Sequence, residues 1–168
     1  GFHNLKSTYG TFSCAGNHDE WLGMDLISEA MQQHDLGLLR NETKVLNIDG
    51  ASLNVIGIDY TRGNEFFLTS ALETSAHEGF NLLLCHHPEF FPVAKSNHID
   101  LMLAGHTHGG QIALDVAGVS LYPIDFIYHY SRGLYEEAGK KLYVNYGVGV
   151  TGTPIRTIEP EIVLITLT

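Results

Sequence analysis

The chain has 168 residues, 44% hydrophobic and 17% charged, with 9 basic against 19 acidic side chains and a net charge of −10. That length suits one domain with a core of its own and is short for two. The acidic balance excludes a nucleic-acid groove, which needs a basic stripe, and no apolar run approaches the ~18–20 residues of a membrane span.

Gly1 to Ser7 carries no apolar leader pattern. Thr11 to Cys14 reads as a short buried strand that runs into a loop, Gly16-Asn17-His18-Asp19. Apolar residues at Met24, Ile27, Ala30 and Met31 have helical spacing, so a helix is predicted over Met24 to His34, with Gly37 as its stop. Lys44 to Ile48 and Ser52 to Ile58 flank Asp49-Gly50, a strong hairpin signal. Asn64 caps a predicted helix that reaches Ala76. Phe80 to Cys85 is a short apolar run bounded by turn residues and reads as a buried strand, followed by a short helix over Glu89 to Ser96. Leu101 to Ala104 is the next buried strand. Ile112 to Leu114, Val119 to Leu121, Leu142 to Asn145 and Ile162 to Leu167 are further strand candidates. Pro123 to Gly139 reads as a long exposed insertion, whose Tyr122, Phe126, Tyr128, Tyr130 and Tyr135 either pack on a lipid or base or form a local hydrophobic cluster.

Three histidine motifs follow predicted buried strands: Gly16-Asn17-His18-Asp19, Cys85-His86-His87-Pro88 and Gly105-His106-Thr107-His108. In open α/β sheets, sites gather outside the carboxyl ends of strands, so one edge collects all three. Two histidines two positions apart on an extended segment project to one side, and the glycines around them permit tight turns. Neutral imidazoles with an amide oxygen suit borderline divalent metals. Cys14 and Cys85 make no disulfide framework. They read as buried small apolar groups, with a disulfide or a soft-metal role as alternatives.

In this order, the three motifs resemble those of the calcineurin-like metallophosphoesterases. The tail extends the likeness, since Tyr130 to Tyr135 and Gly147 to Ile162 look like one branch of that family. The family's two earlier motifs, Asp-x-His and Gly-Asp, do not occur, so the likeness is to the C-terminal portion of its domain. The resemblance implies an α/β fold: a partial calcineurin-like β-sandwich of mixed sheets flanked by helices, with its N-terminal strands missing. Residues 1–168 then form a single metallophosphoesterase-like domain lacking an N-terminal segment of roughly 60–100 residues.

The function implied is a metal-dependent phosphoric ester hydrolase, a phosphodiesterase or phosphatase, with two divalent ions (Mn, Fe or Zn) in the intact family. By resemblance, Asn17, His86 and His106 share one metal and His108 belongs to the other. His87 competes with His86 for the lone-histidine position. Adjacent side chains diverge, so His18 faces substrate rather than the metal of Asn17. Asp19 is expected on its other ring nitrogen, and the family's catalytic histidine matches His18. Arg132 and Arg156 are candidates for phosphate contact. The family's carboxylate ligands have no match here, which leaves a non-catalytic metal-binding module, or an inactive truncated product, as the alternative. Relatives in the matching branch cleave phosphodiester or pyrophosphate lipids such as a UDP-diacylglucosamine, and the wider family cleaves nucleotides and phosphoproteins. The implied setting is the cytoplasm, with membrane association for an intact parent. Missing strands are expected to leave an unpaired sheet edge open to association.

Overall fold

The computed structural model describes residues 6–75, 78–150, 152 and 154–167. Its elements follow in chain order as β1 (Phe12–Ser13), α1 (Asn17–Leu22), α2 (Met24–Gln33), β2 (Gly37–Leu38), β3 (Glu42–Ile48), β4 (Ala51–Gly57) and α3 (Glu65–Leu72). Then come β5 (Phe80–Leu84), α4 (Phe91–Ser96), β6 (Leu101–Ala104), β7 (Leu114–Val116), β8 (Val119–Leu121), β9 (Gly133–Glu137) and β10 (Lys140–Val144).

One mixed six-stranded sheet, in the order β3-β4-β5-β6-β10-β9, carries the structure. The four central strands, β4, β5, β6 and β10, run parallel. The edge strands β3 and β9 are each antiparallel to their neighbour. Both edge pairs are hairpins whose turns need left-handed backbone: Asp49 and Gly50 have φ of 52° and 87°, and Ala138 and Gly139 have 51° and 74°. Register sets the core. Ile56, Leu83, Met102 and Leu142 stand opposite one another across four strands, all fully buried. Leu68 and Ala71 of α3 and Phe91 and Ala94 of α4 cover that face. Asn64 caps α3 as expected by accepting from Phe66 N–H at 3.2 Å, but the helix ends at Leu72, and Ala76 lies outside the described residues.

On the opposite face Val55 and Leu101 are buried, but Leu82, Leu84, Leu103 and Tyr143 are only half-buried. Only the short pair β1-β2 supplements the main sheet near this side: Phe12, Ser13 and Cys14 line a cavity with Leu84 and Leu103. Among the described residues the architecture is therefore a mixed α/β sheet with helices, and no second large sheet completes a sandwich.

Four expectations change. The motif Gly16-Asn17-His18-Asp19 is the start of α1 rather than a loop, because the Asp19 carboxylate accepts from Gly16 N–H at 2.7 Å and closes the helix end. The segment from Pro123 to Gly139 is no exposed insertion. It ends in strand β9, and Tyr130 and Ser131 are buried, because the Tyr130 ring meets Phe91 edge-on and its hydroxyl donates to Glu137 at 2.8 Å. Ile162 to Leu167 keeps strand-like alternation without strand pairing, and Ile162 and Leu164 are 90% and 92% exposed. The strand expected at Ile112 to Leu114 forms two residues later, as β7, in a separate hairpin with β8. No described helix is long and apolar enough to cross a membrane.

Gly57, buried at the end of β4, has no room for a side chain. A Cβ there would lie 2.2 Å from Leu39 Cβ and 3.1 Å from Leu39 O. Gly57→Ala is expected to lower stability by about 1–3 kcal/mol through overpacking. The check is a lower urea midpoint at unchanged slope.

Candidate metal centre

Parallel neighbours end at the same edge, and this places the motifs. Strand β5 runs into Cys85-His86 and β6 into Gly105-His106. Their ladder continues past the strands through Cys85 N–H to Leu103 O and Gly105 N–H to His86 O, both at 3.1 Å. Asn17 arrives from the other side as the first residue of α1. Gly16 allows that approach, because a Cβ there would sit 3.0 Å from the His86 ring.

The outcome is a three-way convergence on one oxygen. Asn17 Oδ1 lies 3.1 Å from His86 Nε2 and 3.1 Å from His106 Nδ1. The two rings meet edge-on at 5.1 Å between centroids. Asn17 is buried and the two histidines half-buried, at the base of a cavity of about 350 Å³ that His18, His108, Gln111, Ile124 and Tyr128 also line. Burial pushes the His86 imidazole down to about 4, helped by neighbouring His106, and it lowers His106 as well. Both rings are therefore neutral near pH 7, with a lone pair to offer.

His87 points elsewhere. It is buried, its Nδ1 accepts from Glu89 N–H at 3.3 Å, and its Nε2 has no partner among the described residues. Its ring lies 4.4 Å from that of His106, behind the convergent donors. Between the two candidates, the structure brings His86 to Asn17 and leaves His87 packed against the back of His106.

The His106-Thr107-His108 segment is not extended. His106 and His108 both have left-handed backbone, φ 69° and 54°, with Thr107 right-handed between them. Thr107 enforces the fold: its N–H closes a tight turn on Gly105 O at 2.8 Å, and its buried hydroxyl donates to Ser131 O at 2.6 Å. Non-glycine residues rarely take this conformation, which costs on the order of 1–3 kcal/mol. As a result the two histidines line one cavity but take different partners, and His108 Nδ1 faces Gly149 O at 3.4 Å.

His18 is exposed at the mouth of the cavity, its ring 4.7 Å from that of Trp21. Neither arginine lines the cavity. Arg132 is paired with Asp125 and stacked on Tyr122, 3.6 Å from the ring centre. Arg156 donates to five backbone carbonyls, those of Tyr146, Gly147, Gly149, Ile158 and Glu159. Motif reading missed Tyr60 and Arg62, in the loop after β4. The Tyr60 ring lies 6.0–6.1 Å from those of His86, His87 and His106. The charge of Arg62, two residues on, helps keep His106 neutral. Both cysteines are free; the Cys85 thiol is buried and faces His87 O at 3.7 Å.

Asn17, His86 and His106 fit a divalent ion. Two neutral imidazoles and an amide oxygen are a donor set that suits a borderline divalent ion, and the two 3.1 Å hydrogen-bond contacts show that all three already converge. The donors are neutral, and no group of three His, Cys, Asp or Glu that could hold a metal occurs among the described residues.

An uncharacterized metallophosphoesterase of Helicobacter pylori is 33% identical to the chain over 95% of its residues. The metallophosphoesterase YkuE of Bacillus subtilis is 30% identical over 97%, and the phosphodiesterase YaeI of Escherichia coli 28% over 94%. The chain belongs to the metallophosphoesterase family. It spans about half of these relatives, namely 42% of the first and 58% of each of the others. No protein-family model matches the chain, and no solved structure matches it significantly.

Depressed histidines make a pH prediction. Burial takes His87, like His86, from 6.5 to about 4. Between those values the unfolded chain binds more protons than the folded one, so stability rises with pH across the window. Folding stability of the metal-free protein should be full above pH 6.5, fall toward pH 4, and show no gain from either ring at higher pH. Urea midpoints read the stability, and proton NMR should find both imidazoles neutral at pH 5.5; titration of either near 6.5 contradicts the burial argument.

Proposed function

We propose that this chain contributes the histidine half of a metal-dependent phosphoester hydrolase site. The convergence of His86 Nε2 and His106 Nδ1 on Asn17 Oδ1, each at 3.1 Å, carries the reading. Asn17, His86 and His106 hold one divalent ion, and His108, turned to another part of the same cavity, serves a second. The phosphodiesterase named among the relatives favours a phosphodiester or related phosphoric ester as substrate. Carboxylate ligands called for by the family likeness belong to the half of the relatives' length that this chain does not span, so residues 1–168 form the C-terminal part of one domain.

When bound, the ions supply Lewis acidity at the phosphoryl oxygens and lower the pKa of an attacking water. The chain's own residues do the rest. Consecutive helical positions point about 100° apart, so Asn17 turns into the donor cluster while His18 stands at the open mouth. From there its imidazole donates a proton to the departing oxygen, and the Trp21 ring beside it limits its rotation. Asp19 acts one step back: by closing the end of α1 it fixes the direction in which both Asn17 and His18 leave the backbone.

Metal affinity and turnover separate these roles. Zn²⁺ or Mn²⁺ binding, followed by calorimetry, should weaken by at least about tenfold in His86→Ala and His106→Ala, the scale expected for a lost ligand or ligand support, and hold in His18→Ala. In a protein carrying the whole domain, His18→Ala should keep its metal and lose about 10²–10⁴ in kcat. The loss should be largest for substrates with poor leaving groups. Metal binding without any turnover in the whole domain would instead establish a binding module.

A further inference from the structure

Tyr128 belongs to no motif, yet its hydroxyl lies 3.1 Å from His106 Nε2, while the other ring nitrogen, Nδ1, faces Asn17 Oδ1. A neutral imidazole has one N–H and one lone pair, and an amide oxygen only accepts. In the metal-free protein the proton therefore sits on Nδ1, donating to Asn17, and Nε2 accepts from the Tyr128 hydroxyl. A cation at Nδ1 needs the lone pair there. The Nδ1 proton must then go to water and a proton return from water to Nε2, with no change of charge. A hydroxyl both donates and accepts, so the same tyrosine oxygen serves each state.

We infer that Tyr128 is a positioning residue, whose hydroxyl keeps the His106 ring in one orientation while the imidazole changes tautomer and so presents Nδ1 to a cation without turning the ring. This rests on the metal role proposed above for His106. The tyrosine's own placement is firmly built. Tyr128 N–H donates to Ile124 O at 3.0 Å, and the next two residues donate their N–H groups to Glu89 Oε1, at 2.8 and 3.3 Å. The backbone N–H of Glu89 in turn donates to His87 Nδ1, which caps the turn that follows. The segment that presents His86 thus also fixes the tyrosine that aims His106. Tyr60 offers an internal control: its ring is nearly as close to His106, at 6.0 Å against 5.7 Å, but among the described residues it is the Tyr128 hydroxyl that meets His106 Nε2.

The test is ¹⁵N–¹H NMR of the histidine rings in the full chain, metal-free and with Zn²⁺. His106 should carry its proton on Nδ1 without Zn²⁺ and on Nε2 with it, in the wild type and in Tyr60→Phe alike. Tyr128→Phe should keep the Nδ1–H tautomer that Asn17 dictates in the metal-free protein, but show a Zn²⁺ Kd about 10–100-fold higher, at an unchanged urea midpoint. Wild-type affinity in Tyr128→Phe overturns the inference, as does an equal loss of affinity in Tyr60→Phe. Because the wild-type spectra alone also decide it, an Nε2–H form of metal-free His106 overturns it whether or not the variant folds. Failure of the wild type to bind Zn²⁺ overturns the metal assignment instead, and the metal-free spectra still decide whether Tyr128 holds His106.

Discussion

The contact on which the site depends is a single amide oxygen shared by two imidazoles. Asn17 Oδ1 joins residues separated by 69 and 89 positions in sequence, and nothing local could assemble them. Each partner is placed by a separate device. Ladder bonds carry β5 and β6 past their ends in step, which sets His86 beside His106. The Asp19 carboxylate, bonded back to Gly16 N–H, closes α1 and directs Asn17 inward. A glycine leaves space for the helix end to meet an imidazole ring. Burial of the two rings then keeps both neutral, so the oxygen faces N–H donors in the metal-free state and lone pairs become available to a cation.

Around this contact the structure is uneven in how well it is supported. One face of the six-stranded sheet is closed by α3 and α4 over a fully buried cross-strand row. The other face buries Val55 and Leu101 but leaves Leu82, Leu84 and Leu103 half-covered, and α2 buries none of its residues. At ~25 cal/mol per Å² of apolar surface removed from water, the stabilisation is concentrated on the first face. The site sits at the edge between the two, which places His86 and His106 on well-packed strands while Asn17 comes from the thinly packed segment. Opening of the cluster is therefore expected to begin on the Asn17 side.

Much of this was legible from residue pattern alone. Period and punctuation located both hairpins' central strands, α2, the α3 cap and the strand-then-motif arrangement that brings Asn17, His86 and His106 together. Three things were not legible, for one shared reason. The left-handed turn at His106 depends on Thr107 bonding to Ser131, 24 residues away. The involvement of Tyr128 depends on a hydroxyl reaching across from a different loop. Arg132 and Arg156 looked available because a guanidinium shows its capacity in the sequence but not its partners. One is matched by Asp125 and Tyr122, the other by a row of carbonyls. Local pattern reports what a segment prefers, whereas side-chain hydrogen bonds between distant segments report where it ends up.

Arg156 shows how a residue outside the cavity can be tied to one that lines it. Its NH1 donates to Gly149 O at 2.7 Å, the same carbonyl that His108 Nδ1 faces at 3.4 Å. Thr157 N–H donates to Gln111 O at 2.7 Å, where Gln111 itself has left-handed backbone, φ 58°. Three strained residues, His106, His108 and Gln111, thus lie within one short loop that the tail braces from below. Strain on the order of 1 kcal/mol or more per residue persists only where surrounding bonds over-determine it. Of the Arg156 bonds, those to the carbonyls of Tyr146, Gly147 and Ile158 are half-buried, and charge-assisted bonds of that kind contribute up to about 1.5–3 kcal/mol each. The arginine therefore bears on the cavity only through the tail: it gathers the carbonyls of Tyr146, Gly147, Gly149, Ile158 and Glu159, and one of them, Gly149 O, is the group that His108 Nδ1 faces.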